Sequence, residues 1–162
     1  MDKEHLGVYL QNEASFEEEI MKDASYEIRV GYLNALDNLM IDNEGIISHD
    51  EIKPFDDDSM SYIVISGQTF VDSSLKCGFS TDHVISLNIV TKFVLGSGTK
   101  KKSEDIAEKV LQRVLLRPGK TAIITPSFNI WHTQVNSRTL VDDTDERIIT
   151  KVLTFQHKIN EI

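Results

Sequence analysis

His83-Val84-Ile85-Ser86-Leu87-Asn88-Ile89-Val90-Thr91-Lys92-Phe93-Val94-Leu95 is the stretch that decides the fold. Ile85, Leu87, Ile89 and Phe93 share one parity, with Ser86, Asn88 and Lys92 between them. Successive side chains of a strand point to opposite faces, so this alternation describes a strand with one face covered and one face wet. Such strands belong to antiparallel sheets packed on one side only.

Working outward, Tyr62-Ile63-Val64-Ile65 is β-branched and aromatic, and reads as a mostly buried strand. It is expected to continue through Gly67 to Phe70 and Val71, with Gly67 marking a bulge. Two further strands are expected at about 122–135 and 148–159. In the last, Ile149, Leu153, Phe155 and Ile159 fall on one face, and Thr150, Thr154, Gln156 and Lys158 on the other. The polar, acidic stretch 136–146 between them is expected to be a surface loop or an extended hairpin tip.

Two helices complete the pattern. Ser15 and Glu18 have the spacing of a capping box. Phe16, Ile20, Ala24, Ile28, Ala35 and Leu39 then recur at about four-residue intervals, flanked by Met21, Leu36 and Met40, up to a stop at Asn43-Glu44-Gly45. Gly31 is expected to bend this helix or to admit a close neighbour. The second helix is expected after Ser103, with Ile106, Ala107, Val110, Leu111 and Val114 as the stripe lying on the sheet. Glu104 and Asp105 suit its positive end, Arg113 and Arg117 its negative end, and Pro118-Gly119 its stop. Residues 1–14 lack a sustained period and are expected to form a flexible or extended arm; 46–61 is expected to be a connection. The order helix, strand, strand, helix, strand, strand over residues 15–162 gives one α+β domain, a mainly antiparallel β-sheet with two amphipathic helices packed on one face.

Composition narrows the function. The chain has 162 residues, 40% hydrophobic and 27% charged, ordinary for one globular domain. The charged opening Met1-Asp2-Lys3-Glu4-His5 leads into no apolar signal core, so the expected compartment is a cytoplasm. The formal net charge of −9 opposes nucleic-acid binding, which rests on Lys and Arg neutralising phosphates. The cluster Lys100-Lys101-Lys102 reads as solvated loop. A single cysteine, Cys77, excludes an internal disulfide and reads as a small half-buried or surface thiol.

No catalytic pattern emerges, and no cofactor or metal is expected. The histidines at 5, 49, 83, 132 and 157 have no zinc spacing, although His132 and His157 could meet across neighbouring strands. The acidic runs Asp56-Asp57-Asp58 and Asp142-Asp143-Thr144-Asp145-Glu146 lack the ligand order of a calcium loop. Gly96-Ser97-Gly98-Thr99-Lys100 lacks the spacer and the closing residues of a P-loop. Glu51-Ile52-Lys53 matches the Glu-x-Lys half of a metal-dependent nuclease site, but Pro54 follows at once and breaks the strand such a site needs.

Ser61-Tyr62-Ile63-Val64-Ile65, the long strand at 83–95, Ser103-Glu104-Asp105-Ile106-Ala107-Glu108-Lys109-Val110 and the closing strand together resemble the tail-completion, or tail-terminator, proteins of tailed bacteriophages. Ser61 stands where that family usually has proline, and 136–146 is longer than its pattern. The resemblance implies a structural virion protein rather than an enzyme. It would assemble in the host bacterial cytoplasm into a ring of copies of itself, a hexamer or dodecamer, at the head–tail junction (the neck) or the tail end. Adjacent portal, connector and tail proteins would be its partners, with DNA passing through the lumen without sequence-specific binding. Candidate subunit-interface residues are Phe128 and Trp131, as aromatic side chains that could equally pack in the core, Arg138, Asp142 and Asp143 on the polar connection, and Arg147 just after it. The alternatives are a small α+β interaction module that forms no ring and, more remotely, the nuclease.

Overall fold

The computed structural model describes residues 21–50, 60–76, 78–93, 100–143 and 147–162. The elements run α1 (Ser25–Ala35), β1 (Leu39–Ile41), β2 (Glu44–His49), β3 (Ser61–Asp72), β4 (Ser80–Lys92), α2 (Lys101–Val114), β5 (Leu115–Arg117), β6 (Lys120–Thr121), β7 (Phe128–Asp143) and β8 (Ile148–Glu161). Six strands form one sheet in the order β1-β2-β3-β4-β8-β7, and β5-β6 form a separate hairpin. Every pair in the large sheet is antiparallel except β2 with β3. The expected α+β architecture is therefore the observed one.

The alternation in β4 sets the layers. Thr81, His83, Ile85, Leu87, Ile89 and Thr91 are buried, while the residues between them are partly open. On β8, Ile149, Leu153, Phe155, His157 and Ile159 are buried on the same side. Both helices cover that side. From α2 come Ile106, Ala107, Val110 and Val114, and from α1 Ile28 and Tyr32, with Ala24 and Leu36 flanking it. The expected bulge in β3 is present as a register shift between Ile65 and Gly67.

The N-terminal third departs from the sequence reading. The Ser15 cap and the 1–14 arm lie outside the described residues, and residues 22–24 are not helical. The described helix starts where Asp23 Oδ1 accepts the Ser25 N–H at 2.8 Å, a local side-chain bond that favours a helix start. It stops at Ala35, well before Leu39, and Asn38 follows in the left-handed region at φ 54°. Leu39 and Ile41 are buried with Met40 exposed between them, which is strand alternation. Asp42 and Asn43, at φ 49° and 65°, make the two-residue turn of a hairpin into β2, so Glu44 and Gly45 open a strand rather than stop a helix, and 46–49 is strand rather than connection.

Three further expectations shift. Lys101 and Lys102 belong to the first turn of α2 rather than to a loop, and Lys102 pairs with Glu44. Pro118-Gly119, with Gly119 at φ 74°, is the turn of the β5–β6 hairpin, so Arg117 lies on a strand rather than at the helix end. Residues 122–127 are not strand, while β7 begins at Phe128 and runs on to Asp143, so 136–143 is strand of an extended hairpin rather than loop; 144–146 lie outside the described residues.

Gly31 is a close-approach position. A Cβ there would lie 2.6 Å from Ile123 Cγ2 and 3.1 Å from the Ile124 carbonyl oxygen. Gly31→Ala gains about 1 kcal/mol of helix propensity but overpacks this contact at a cost of about 1–3 kcal/mol. Urea and thermal unfolding are expected to show a net loss of stability; an unchanged or raised midpoint would mean that the 122–125 segment yields freely.

Candidate functional site

Beneath α1 the core contains a polar line. Tyr32 is fully buried, and its hydroxyl lies 2.7 Å from His157 Nε2, while His157 Nδ1 lies 2.7 Å from Thr133 Oγ1. A neutral imidazole has one donor and one acceptor nitrogen, so two hydroxyls satisfy both. Tyr32 also packs against Phe155, with ring centroids 5.7 Å apart. The residue opposite His157 on β4 is His83, buried, stacked on Phe70 at 5.4 Å, and without a partner for Nδ1 among the described residues.

Burial sets the charge state of this line. It pushes the Tyr32 phenol well above its usual range, and it pulls His157 down to about 3, helped by His83 alongside. His83 is also lowered by burial, opposed by Asp23 and Asp82. The arrangement is a neutral hydrogen-bonded tie between α1, β8 and β7. His132 and His157, which could have met across neighbouring strands, do not, because the shift between Ile130 and His132 sets Thr133 opposite His157 and His132 opposite Lys158.

The second face of the sheet is uncovered by any described helix. It carries Val84, Ser86 and Asn88 from β4 and Val152, Thr154 and Gln156 from β8, all partly open. Neutral side chains bond across the strands: Ser86 Oγ with Thr154 Oγ1 at 3.2 Å, Ser66 Oγ to Asn88 Oδ1 at 2.9 Å, and Gln134 Nε2 to Gln156 Oε1 at 3.0 Å. This ladder is neutral at its centre, with Asp82 opposite Lys158 toward one end and Lys92 at the other.

The six interface candidates divide. Phe128 is 6% exposed and belongs to the core, fixed where Thr125 Oγ1 donates to its carbonyl at 2.8 Å. Trp131 is 42% exposed, with Lys158 Nζ 5.5 Å from its ring centroid. Arg138 stands exposed on the outer part of β7. Asp142 and Asp143 lie on the last residues of β7, opposite Ile149 and Ile148. Arg147 is exposed in the turn into β8 at φ 58°, and its carbonyl accepts the Phe93 N–H at 3.0 Å. The fold thus gathers Arg138, Asp142, Asp143 and Arg147 at the free end of the β7–β8 hairpin and leaves Phe128 and Trp131 at the other end.

Among the described residues no group of three or more His, Cys, Asp or Glu is placed to hold a metal ion, and no helix is long and apolar enough to cross a membrane. Cys77, Glu51-Ile52-Lys53, Asp56-Asp57-Asp58 and Gly96-Ser97-Gly98-Thr99 lie outside the described residues. Sequence reading passed over Tyr32, whose signal was its place in the four-residue row Ala24, Ile28, Tyr32, Leu36.

No family model matches the chain, and no curated protein matches it. Among solved structures, a chain from the virion of a native gene transfer agent particle is similar, with a TM-score of 0.58 at 12% sequence identity over 70% of this chain and 78% of that one. At that identity the likeness is one of fold.

The histidine tie has a pH signature. His157 has a folded pKa near 3 against 6.5 for the ordinary group, so the unfolded chain binds more protons below pH 6.5. Its stabilising contribution is complete above that pH and falls as pH drops from 6.5 toward 3, by up to about 1.4 kcal/mol per pH unit. Thermal melts from pH 7.5 to 5 are expected to show falling midpoints. At pH 7.5, Tyr32→Phe is expected to cost about 1–3 kcal/mol, by leaving a buried ring nitrogen without its partner. A flat pH profile together with a silent Tyr32→Phe would overturn this assignment.

Proposed function

We propose that this chain is a structural protein of a phage-like virion and, within it, a ring subunit at the head–tail junction or tail end. The observation that carries the proposal is the fold held in common with the gene transfer agent virion chain. Three features of the molecule support it. One sheet face is covered by helices while the other carries hydrogen-bonded neutral side chains at its centre. Toward the turn into β8, residues 136–139 are exposed on successive positions of β7. The titratable line in the interior is tied up in packing rather than aimed at a cleft.

A ring of identical copies uses a heterologous contact that closes by rotation, so each copy presents two different surfaces. Hexamer and dodecamer are the orders implied by the tail-completion resemblance. Portal or connector proteins on one side and tail proteins on the other would be the neighbours. The net charge of −9 suits a lumen along which DNA phosphates slide without sticking.

Mass photometry and negative-stain microscopy of the chain, alone and mixed with the connector and tail proteins of its own particle, test this reading. Closed rings of one copy number are expected, without retention on DNA at physiological salt. A chain that stays monomeric with all of those partners, or that binds DNA tightly at that salt, would overturn it.

A further inference from the structure

We propose that neighbouring copies join by continuing the sheet: the outer edge of β3, residues 67–72, pairs antiparallel with the outer edge of β7, residues 137–141, of the next copy. This deepens the ring reading by naming its contact and rests on it.

Both edges are open among the described residues. β2 pairs with β3 only from Tyr62 to Val64, so past Ile65 the side of β3 away from β4 meets no described strand. On β7 the outer side is bridged only at Thr133, whose N–H donates to the Gly119 carbonyl at 3.2 Å; Ser137 to Val141 have no described partner on that side. Open edges are templates for strand addition, and soluble proteins usually guard them with lysine or proline. Neither segment contains either residue. The β3 edge instead exposes Phe70 at 46% and Val71 at 67%, and the β7 edge exposes Val141 at 53%.

Direction and register agree with the pairing. Each neighbour along β3, β4, β8 and β7 is antiparallel, so β3 and β7 themselves run in opposite directions, and a following copy continues the alternation. Setting Phe70 opposite Leu140 matches the faces. Phe70 pairs with His83 and Leu140 with Lys151, both on the helix-covered side. In that register Val71 faces Thr139 and Thr69 faces Val141 on the open side, and Asp72 falls opposite Arg138, joining opposite charges across the strands.

The two edges are offset along the strands. Phe70 lies level with Thr133 through His83 and His157, and Leu140, opposite Lys151, is six strand positions further on once the bulge between Val135 and Ser137 is allowed for. Each copy is therefore displaced by about 20 Å along the strand direction, and the strands cross the ring obliquely, as strands do in a closed barrel. A twofold pairing of β7 with itself would leave Phe70 and Val71 uncovered and would end at a dimer, which favours the head-to-tail contact.

The experiment is disulfide trapping in the full chain. In a Cys77→Ser background, Val71→Cys together with Thr139→Cys is expected to give a ladder of covalent multimers on oxidation, and neither single cysteine variant gives one. Separately, Arg138→Asp and Asp72→Arg are each expected to raise the assembly midpoint roughly three- to tenfold, and the double swap to restore it. Thermal melts check the fold of each variant. Rings that form without a ladder would overturn the edge pairing and leave the ring reading standing. A ladder of open chains without closed rings would support the pairing and count against the ring. Dimers from Thr139→Cys alone, or a monomer without any ladder at high concentration, would overturn the pairing.

Discussion

The antiparallel ladder between β4 and β8, unbroken from Ser80 opposite Asn160 to Lys92 opposite Ile148, is the interaction on which the other elements depend. It places Ile85, Leu87 and Ile89 beside Phe155, Leu153 and Lys151 on one surface, and only that surface is apolar enough to hold both helices. A slip of one residue would turn His83, Ile85, Leu87 and Ile89 outward together. Burial of such side chains is worth about 1.5–3 kcal/mol each, so the register is strongly specified.

The polar line from Tyr32 through His157 to Thr133 adds a different kind of constraint. Apolar contacts tolerate small displacements, whereas two bonds of 2.7 Å on one imidazole close only when α1, β8 and β7 are correctly placed together. A cluster of buried titratable groups invites a catalytic reading. Here each His157 nitrogen already has a protein partner, and the arrangement is better described as a structural tie.

The surfaces left over are as telling as the core. The chain covers one sheet face with its own helices and leaves the other with a hydrogen-bonded polar centre, with open edges at both sides among the described residues. An isolated protein gains nothing from long unguarded edges. A subunit whose copies meet edge to edge does, because each copy then supplies the backbone partners that the other lacks.

Period-two patterning in 83–95 and 148–159 was enough to read both central strands and their covered faces from sequence, because a strand's side-chain period does not depend on its neighbours. The stripe Ile106, Ala107, Val110, Val114 identified α2 in the same way, and Gly67 identified the bulge. Three residues cannot display a period, so Leu39–Ile41 was absorbed into the preceding helix, and only its pairing with β2 defines it as strand. Tyr32 is missing from the helix face read in the sequence, and its hydroxyl gains meaning only from His157, 125 residues away. The interface candidates were chosen by residue type, and type alone could not separate buried Phe128 from exposed Trp131 and Arg138. By itself the sequence determined which residues alternate and which recur, and hence the α+β class. Tertiary structure decided strand order, register and the free edges, because those depend on contacts between residues far apart in the chain.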